Sequence, residues 1–79
     1  MKVEGIVTGI REGETEFEGK TYPKRWVSIE GLNIEQSVNA EPPREGSYIR
    51  AIVKVDWRDS KDGKRRPRYK LTAFRYVDF

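Results

Sequence analysis

The residues of this chain that are best suited to chemistry are cations and aromatic rings that lie close together in the sequence. The densest group is the stretch from Trp57 to Tyr69, which reads WRDSKDGKRRPRY and sets six Lys or Arg residues against two Asp. Lysine and arginine contact phosphates with little selectivity, and flat rings stack on exposed bases. This composition favours binding of a nucleic acid through phosphate contacts and base stacking.

The charge of the chain is segregated along its length. Residues 1–46 carry six Lys or Arg and nine Glu, whereas residues 47–79 carry ten Lys or Arg and four Asp, for a net charge of +3. A basic half on a small domain is typical of a protein that binds a polyanion. The alternative is that the charge serves only solubility, but mixed signs would then be expected along the whole chain.

Catalysis and metal binding have little support in these residues. The chain has no His and no Cys, which excludes imidazole and thiol catalysis, disulfides and Cys/His metal sites. Glu14, Glu16 and Glu18 alternate on a polar segment, which is more typical of a solvated face than of a Mg²⁺ site. We therefore predict a protein that is not an enzyme and that holds no metal and no cofactor.

The cellular context is read from what the sequence lacks. No apolar run approaches the length that spans a membrane, and the start MKVEGIV is too short and too polar for a signal peptide. These features predict a soluble cytoplasmic protein, in the host cytoplasm if it is viral, with no membrane partner. A domain of 79 residues buries a modest core, so oligomerisation is the expected supplement.

Alternation of apolar and polar residues predicts five strands and no helix. The predicted strands are Met1–Ile10, Trp26–Glu30, Leu32–Ala40, Ser47–Trp57 and Arg68–Val77. Glycines inside the first strand predict a bend or bulge there. Residues 11–25 are predicted to form a protruding hairpin, which we call the wing, with a turn at residues 18–20. Residues 57–68 are predicted to form a basic loop, with a hairpin turn at residues 62–63.

The strand faces give a first division between core and surface. The fourth strand has one apolar face, which consists of Ile49, Ala51, Val53, Val55 and Trp57. Trp57 has two open interpretations, because this face predicts core whereas the base of a basic loop predicts stacking. In the last strand, one face holds Leu71, Ala73 and Val77, and the other holds Lys70, Thr72, Phe74 and Tyr76.

Five strands with no helix must close into a barrel or leave edges exposed. We therefore predict a single all-β domain over residues 1–79, a five-stranded OB-like Greek-key barrel with protruding hairpins. An SH3-like barrel is the main competing fold. Either fold hosts many functions, so the function depends on the surface residues.

Four short motifs occur in a shared order along the chain. They are Arg11-Glu12-Gly13, Gly19-Lys20-Thr21-Tyr22, the run from Pro43 to Tyr48, and Leu71-Thr72-Ala73-Phe74-Arg75. In this order and spacing the chain resembles the single-stranded DNA-binding proteins of filamentous bacteriophages, the gene V protein type. The likeness covers nearly the whole chain.

The resemblance implies a two-fold dimer that coats single-stranded DNA cooperatively during phage DNA replication. It implies that the wing binds DNA through Arg11, Lys20 and Tyr22, and that Arg75 of the last strand also contributes. It places the basic loop near both the dimer axis and the DNA. The chain departs from the family in its acidic wing, in one inserted residue, and in a more basic loop. Arg75 also shares the Leu71 face, so a bulge or the strand end must turn it outward.

The candidate nucleic-acid-binding residues combine both lines of reasoning. They are Arg11, Phe17, Lys20, Tyr22, Lys24, Arg25, Arg50, Lys54, Arg58, Lys61, Lys64, Arg65, Arg66, Arg68, Lys70 and Arg75. Single-stranded DNA is the predicted partner, within a homodimer. The alternatives are an RNA-binding barrel and a β-barrel adaptor whose basic loop grips an acidic protein.

Overall fold

The computed structural model describes residues 1–59 and 61–78, and this part of the chain is all-β. The five strands are β1 (Lys2–Phe17), β2 (Lys20–Ile29), β3 (Leu32–Gln36), β4 (Tyr48–Asp59) and β5 (Arg65–Tyr76). The prediction of five strands without a helix is confirmed for these residues. Within them, no helical segment has the length and apolar character that crossing a membrane requires.

The five strands form one closed sheet in the order β1-β2-β3-β5-β4. The long strand β1 serves two neighbours, since residues 2–6 pair with β4 and residues 7–17 pair with β2. The register shifts between Val7 and Gly9, which places a bulge where β1 changes partner. The predicted bulge is confirmed, and it lets one strand turn the corner of the closed sheet.

The closure between β3 and β5 differs from the other strand contacts. All other neighbours pair in antiparallel fashion over at least five residues, whereas β3 and β5 run parallel and share the single register pair Glu35–Lys70. The ion pair between Arg68 of β5 and Glu35 of β3 also spans this closure.

The core is formed by apolar side chains from all five strands. Its buried members are Val7, Val27, Ile29, Ile34, Ile49, Ala51, Val53 and Leu71. Alternation in the sequence correctly predicted that Val27 and Ile29 share a face, and likewise Ile49, Ala51 and Val53. The core is small, as expected for a chain of 79 residues.

Strand β3 is shorter than the sequence predicted. It ends at Gln36 rather than at Ala40, and residues 38–40 form a turn and a bend. The carbonyl oxygens of Ser37, Val38 and Ala40 accept hydrogen bonds from the Arg25 guanidinium instead of from a neighbouring strand. An arginine side chain thus replaces the backbone ladder and ends the strand.

The predicted basic loop over residues 57–68 is mostly strand, which corrects that prediction. Asp59 pairs with Arg65, so only residues 60–64 separate β4 from β5, and we call residues 57–68 the basic hairpin from here on. The predicted turn at Asp62-Gly63 has the expected positive φ at Gly63. This hairpin and the wing extend the molecule to 45 × 24 × 18 Å.

Of the two interpretations of Trp57, the core interpretation is wrong, because Trp57 is 57% exposed. Trp57 occupies an alternate position of β4 in line with Ile49, Ala51 and Val53, so it belongs to the same strand face. However, the hairpin runs past the end of the barrel, where the inward face has no core to cover.

A second bulge reverses the faces of β5. Ile52 pairs with Ala73 and Val53 pairs with Leu71, which leaves Thr72 as the extra residue. Leu71 is buried, Ala73 is exposed, and Phe74 packs against the core instead. The predicted pairing of Ala73 with Leu71 on one face is therefore wrong. The same bulge turns Arg75 outward, beside Arg50, as the resemblance required.

Candidate nucleic-acid interface

The wing has two chemically different faces. Its turn at Glu18-Gly19 has positive φ at both residues, 50° and 75°, which is the geometry of a tight two-residue hairpin. Directly opposed residues of an antiparallel pair lie on the same face. Three opposed pairs share the first face, namely Arg11 with Trp26, Thr15 with Tyr22, and Phe17 with Lys20. This face therefore carries rings and cations.

The opposite face of the wing is acidic. Glu12, Glu14 and Glu16 alternate with the ring-bearing positions and pair with Arg25, Pro23 and Thr21. Alternation therefore directs most of this negative charge to the face opposite Phe17. Among residues 1–59 and 61–78, no group of three or more acidic side chains converges as metal ligands would.

A groove lies between the wing and the basic hairpin, with a volume of about 380 Å³. Its lining residues are Thr15, Glu16, Phe17, Tyr22, Lys24, Arg58 and Arg68. Phe17 and Tyr22 are 64% and 45% exposed, so both rings are accessible to a ligand. The structure thus brings together five predicted residues from the two hairpins.

Trp26 extends the ring-bearing face towards the barrel, although the sequence-based site did not include it. Its half-buried ring lies across Gly13, where an added Cβ would come within 3.1 Å of the ring. The Arg11 guanidinium lies 5.3 Å from the ring centroid, which is cation–π distance. The signal was available, because Val27 and Ile29 face the core, so Trp26 must face the same way as Lys24.

Two groove cations share one carboxylate. Glu35 accepts a bidentate contact from the Arg68 guanidinium at 2.7 and 2.8 Å, and its Oε1 lies 3.4 Å from Lys24 Nζ. Burial by itself would raise the pKa of Glu35. The hydrogen bonds and positive charges of Arg68 and Lys24 outweigh that effect and hold the pKa below the ordinary value of 4.5. These cations are therefore held in place and partly neutralised.

The ion-pair cluster at Glu35 should make stability depend on acid pH. The pKa of Glu35 is lowered in the folded state, so its carboxylate stabilises the fold at pH values above the ordinary pKa of 4.5. This contribution disappears as the pH falls through the lowered pKa. We expect Glu35→Gln to be less stable than the wild type at pH 7 and to converge with it as the solution is acidified. Urea denaturation at a series of pH values measures this difference.

A suitable control for this measurement is Glu41→Gln. Glu41 is exposed and forms no ion pair within the described residues. Its substitution should leave the pH profile unchanged. A constant difference between Glu35→Gln and the wild type from pH 7 down to pH 2 would contradict the assigned ion pairs.

Arg25 is not available to a ligand, which corrects its place among the predicted binding residues. It is 8% exposed and faces inward in line with Val27 and Ile29. Its guanidinium and Nε donate to the Glu12 carboxylate at 3.1 Å, to Gln36 Oε1 at 3.3 Å and to the Ala40 carbonyl at 2.7 Å. Arg25 therefore fastens the wing to the loop that follows β3.

The remaining cations near the groove form a row on the outer face of β4 and β5. Arg58 pairs in register with Arg66, and Lys54 pairs with Lys70. Arg66 lies 3.3 Å from Asp62, and Lys54 lies 3.9 Å from Asp56. Four cations on this face and on the ring-bearing face of the wing have no carboxylate partner within the described residues: Arg58 and Lys70 on β4 and β5, and Arg11 and Lys20 on the wing.

Several predicted residues lie away from the groove. The Arg65 guanidinium lies 5.8 Å from the Trp57 ring centroid, on the other face of the basic hairpin. Lys61 and Lys64 are exposed at its tip. Arg50 and Arg75 line a different cavity, and Arg50 is bonded to Glu4 at 3.2 Å. The structure does not bring these five residues into the groove.

Comparison of the chain with protein-family models, with curated proteins and with solved structures found no match. The resemblance to the gene V protein type therefore stays a prediction. The function has to be argued from the geometry and charge of the groove.

Proposed function

We propose that this protein binds single-stranded DNA with little sequence preference, in the groove between the wing and the basic hairpin. The observation that carries this proposal is the placement of two accessible rings, Phe17 and Tyr22, beside Lys24, Arg58 and Arg68. Rings stack on any base, and cations contact any phosphate, so such a surface tolerates all sequences.

A single strand fits this groove better than a duplex does. Bases in a duplex are already stacked on each other, and only their edges are presented in the grooves. Exposed rings such as Phe17 and Tyr22 gain most from bases that are free to leave their neighbours. The rings therefore support a single strand, and the unpaired cations Arg11, Lys20 and Arg58 support a path for its backbone.

We propose further that the closed sheet is an OB-type barrel. The strand order β1-β2-β3-β5-β4 and the two long hairpins β1–β2 and β4–β5 support this proposal. In OB folds, the face of strands 2 and 3 and the loops 1–2 and 4–5 bind oligonucleotides. The groove occupies the corresponding place between the two hairpins. The two-fold dimer remains a proposal that rests on the sequence resemblance.

A titration of fluorescent oligo(dT) against the protein at several salt concentrations tests the function. We expect binding to oligo(dT) to be tighter than to a duplex of the same length. The slope of log K against log salt should be about −3, because each phosphate neutralised on a single strand contributes about −0.7 and four groove-face cations lack a carboxylate partner.

Two parallel titrations define what would contradict the proposal. Equal affinity for duplex and single strand, or the absence of a salt slope, would refute it. An oligo(U) of the same length serves as the RNA comparison. Clearly tighter binding to oligo(U) than to oligo(dT) would identify RNA as the ligand of the groove.

A further inference from the structure

A second cavity lies on the outer face of β1, β4 and β5, away from the groove. We call it the rear cleft; its volume is about 350 Å³, and it is lined by Lys2, Arg50, Ile52, Ala73, Phe74 and Arg75. It shares no lining residue with the groove. Ile52 is 51% exposed although it lies in the middle of a strand, so the cleft has an apolar floor that the described residues leave uncovered.

The rim of the rear cleft is positively charged. Arg50 is bonded to Glu4 at 3.2 Å, whereas Lys2 and Arg75 form no ion pair within the described residues. An apolar floor with an unneutralised cationic rim fits a partner that presents carboxylates on an extended segment. Opposite charges on two surfaces favour their correct pairing and speed their encounter.

The acidic face of the wing has the matching chemistry. Glu12 is bonded to Arg25, but Glu14 and Glu16 form no ion pair within residues 1–59 and 61–78. Alternate residues of a strand lie about 7 Å apart, so these carboxylates form a regular row on a narrow ribbon. Negative charge on a polyanion-binding hairpin opposes that binding. Glu16 also borders the groove but Glu14 does not, so binding in the groove does not account for the row.

We infer that the rear cleft of one molecule receives the acidic face of the wing of a second copy. The two surfaces are different, so the contact is head-to-tail and can continue from copy to copy. It leaves the ring-bearing face of each wing free, so adjacent copies can occupy one strand side by side. The contact does not require nucleic acid, and its test is therefore separate from that of the proposed function.

Sedimentation velocity at low salt, over a range of protein concentrations, tests this contact. We expect the wild type to associate beyond a discrete dimer, and added salt to reverse the association. The variant Lys2→Glu/Ala73→Glu should lower the association constant by about a hundredfold, because it places like charges across the interface. Glu14→Lys/Glu16→Lys should do the same from the other side.

The decisive sample is the mixture of the two variants. The altered rear cleft of one variant is acidic and the altered wing of the other is basic, so these two surfaces attract each other. Mixing the variants should therefore produce a hetero-complex, although neither variant associates alone. The control Glu41→Lys/Glu45→Lys makes the same charge change as the wing variant at exposed glutamates elsewhere. It should associate like the wild type. Circular dichroism verifies that every variant is folded.

Three results of the association experiments would overturn the inference. These are a wild type that stays a monomer or discrete dimer at all concentrations, a failure of the mixture to associate, and equal loss of association in the control. A loss of short oligo(dT) binding in Lys2→Glu/Ala73→Glu would also overturn it, because the rear cleft would then be a nucleic-acid surface. A failure of the proposed function would show instead as weak oligo(dT) binding by the wild type.

Discussion

Replacement of Tyr22 by alanine should weaken binding of a short oligo(dT) about 5- to 150-fold, because stacking of a base on a ring contributes about 1–3 kcal/mol. Tyr22 lines the groove and is 45% exposed, so loss of its ring removes a ligand contact without opening the core. The salt slope should stay unchanged, since the number of phosphate contacts is unaffected. Fluorescence titration at several salt concentrations measures both quantities.

The matched control is Trp57→Ala. Trp57 is also an exposed ring beside arginines, but it lies on the face of the basic hairpin that carries Arg65 rather than on the groove face. Its loss should change the affinity for a short oligonucleotide less than the loss of Tyr22 does. The reverse order would place the strand on the other side of the basic hairpin and would contradict the groove assignment.

Replacement of Arg25 by leucine should lower the free energy of unfolding by about 3 kcal/mol, because it removes the donor to one buried amide oxygen and to three partly buried carbonyl oxygens. The partners are the Gln36 side chain and three backbone carbonyls, at residues 37, 38 and 40. The same change frees the Glu12 carboxylate, which is bonded to the guanidinium at 3.1 Å. Urea denaturation followed by circular dichroism measures the loss.

Arg44→Leu is the corresponding control at an exposed arginine. The Arg44 guanidinium lies 4.4 Å from the centroid of the Tyr76 ring, a contact that contributes about 0.5–1 kcal/mol at the surface. Its loss should therefore lower the free energy of unfolding by at most about one third as much as the loss of Arg25 does. If Arg25→Leu instead kept full stability and lost only oligo(dT) binding, Arg25 would be a ligand contact and its structural role would be refuted.

Alternation of apolar and polar residues correctly predicted the buried face of the strand segments that lie within the barrel. Ile49, Ala51 and Val53 were correctly assigned to the core, and Val27 and Ile29 were correctly predicted to share a face, which is buried. The turns at Glu18-Gly19 and Asp62-Gly63 were also correctly located, because glycine accepts a positive φ that other residues resist. These features depend on local chemistry alone.

The errors arose where tertiary structure decides. The extra residue Thr72 reverses the inner face of β5, and its hydroxyl donates to the Ile52 carbonyl at 3.0 Å, a contact between residues 20 positions apart. Trp57 keeps the parity of a core residue but lies beyond the end of the barrel. Neither feature can be predicted from the residue pattern of its own strand.

Arg25 is the opposite case, because its role could have been inferred. Its parity with Val27 and Ile29 pointed inward, but its charge and its neighbours Lys24 and Tyr22 favoured a surface assignment. A buried cation requires a set of acceptors, and these come from a loop whose path the sequence does not reveal. Parity was the better guide at this position.

The barrel closes through a narrow contact between β3 and β5. One register pair, Glu35–Lys70, and the contacts from Glu35 to Arg68 span it, so local opening should begin there before the antiparallel ladders separate. Arg68 also lines the groove, where a phosphate would compete with Glu35 for the same guanidinium. Occupation of the groove and the contact between β3 and β5 are therefore thermodynamically linked. Binding of a DNA strand should make amide hydrogen exchange faster along β3.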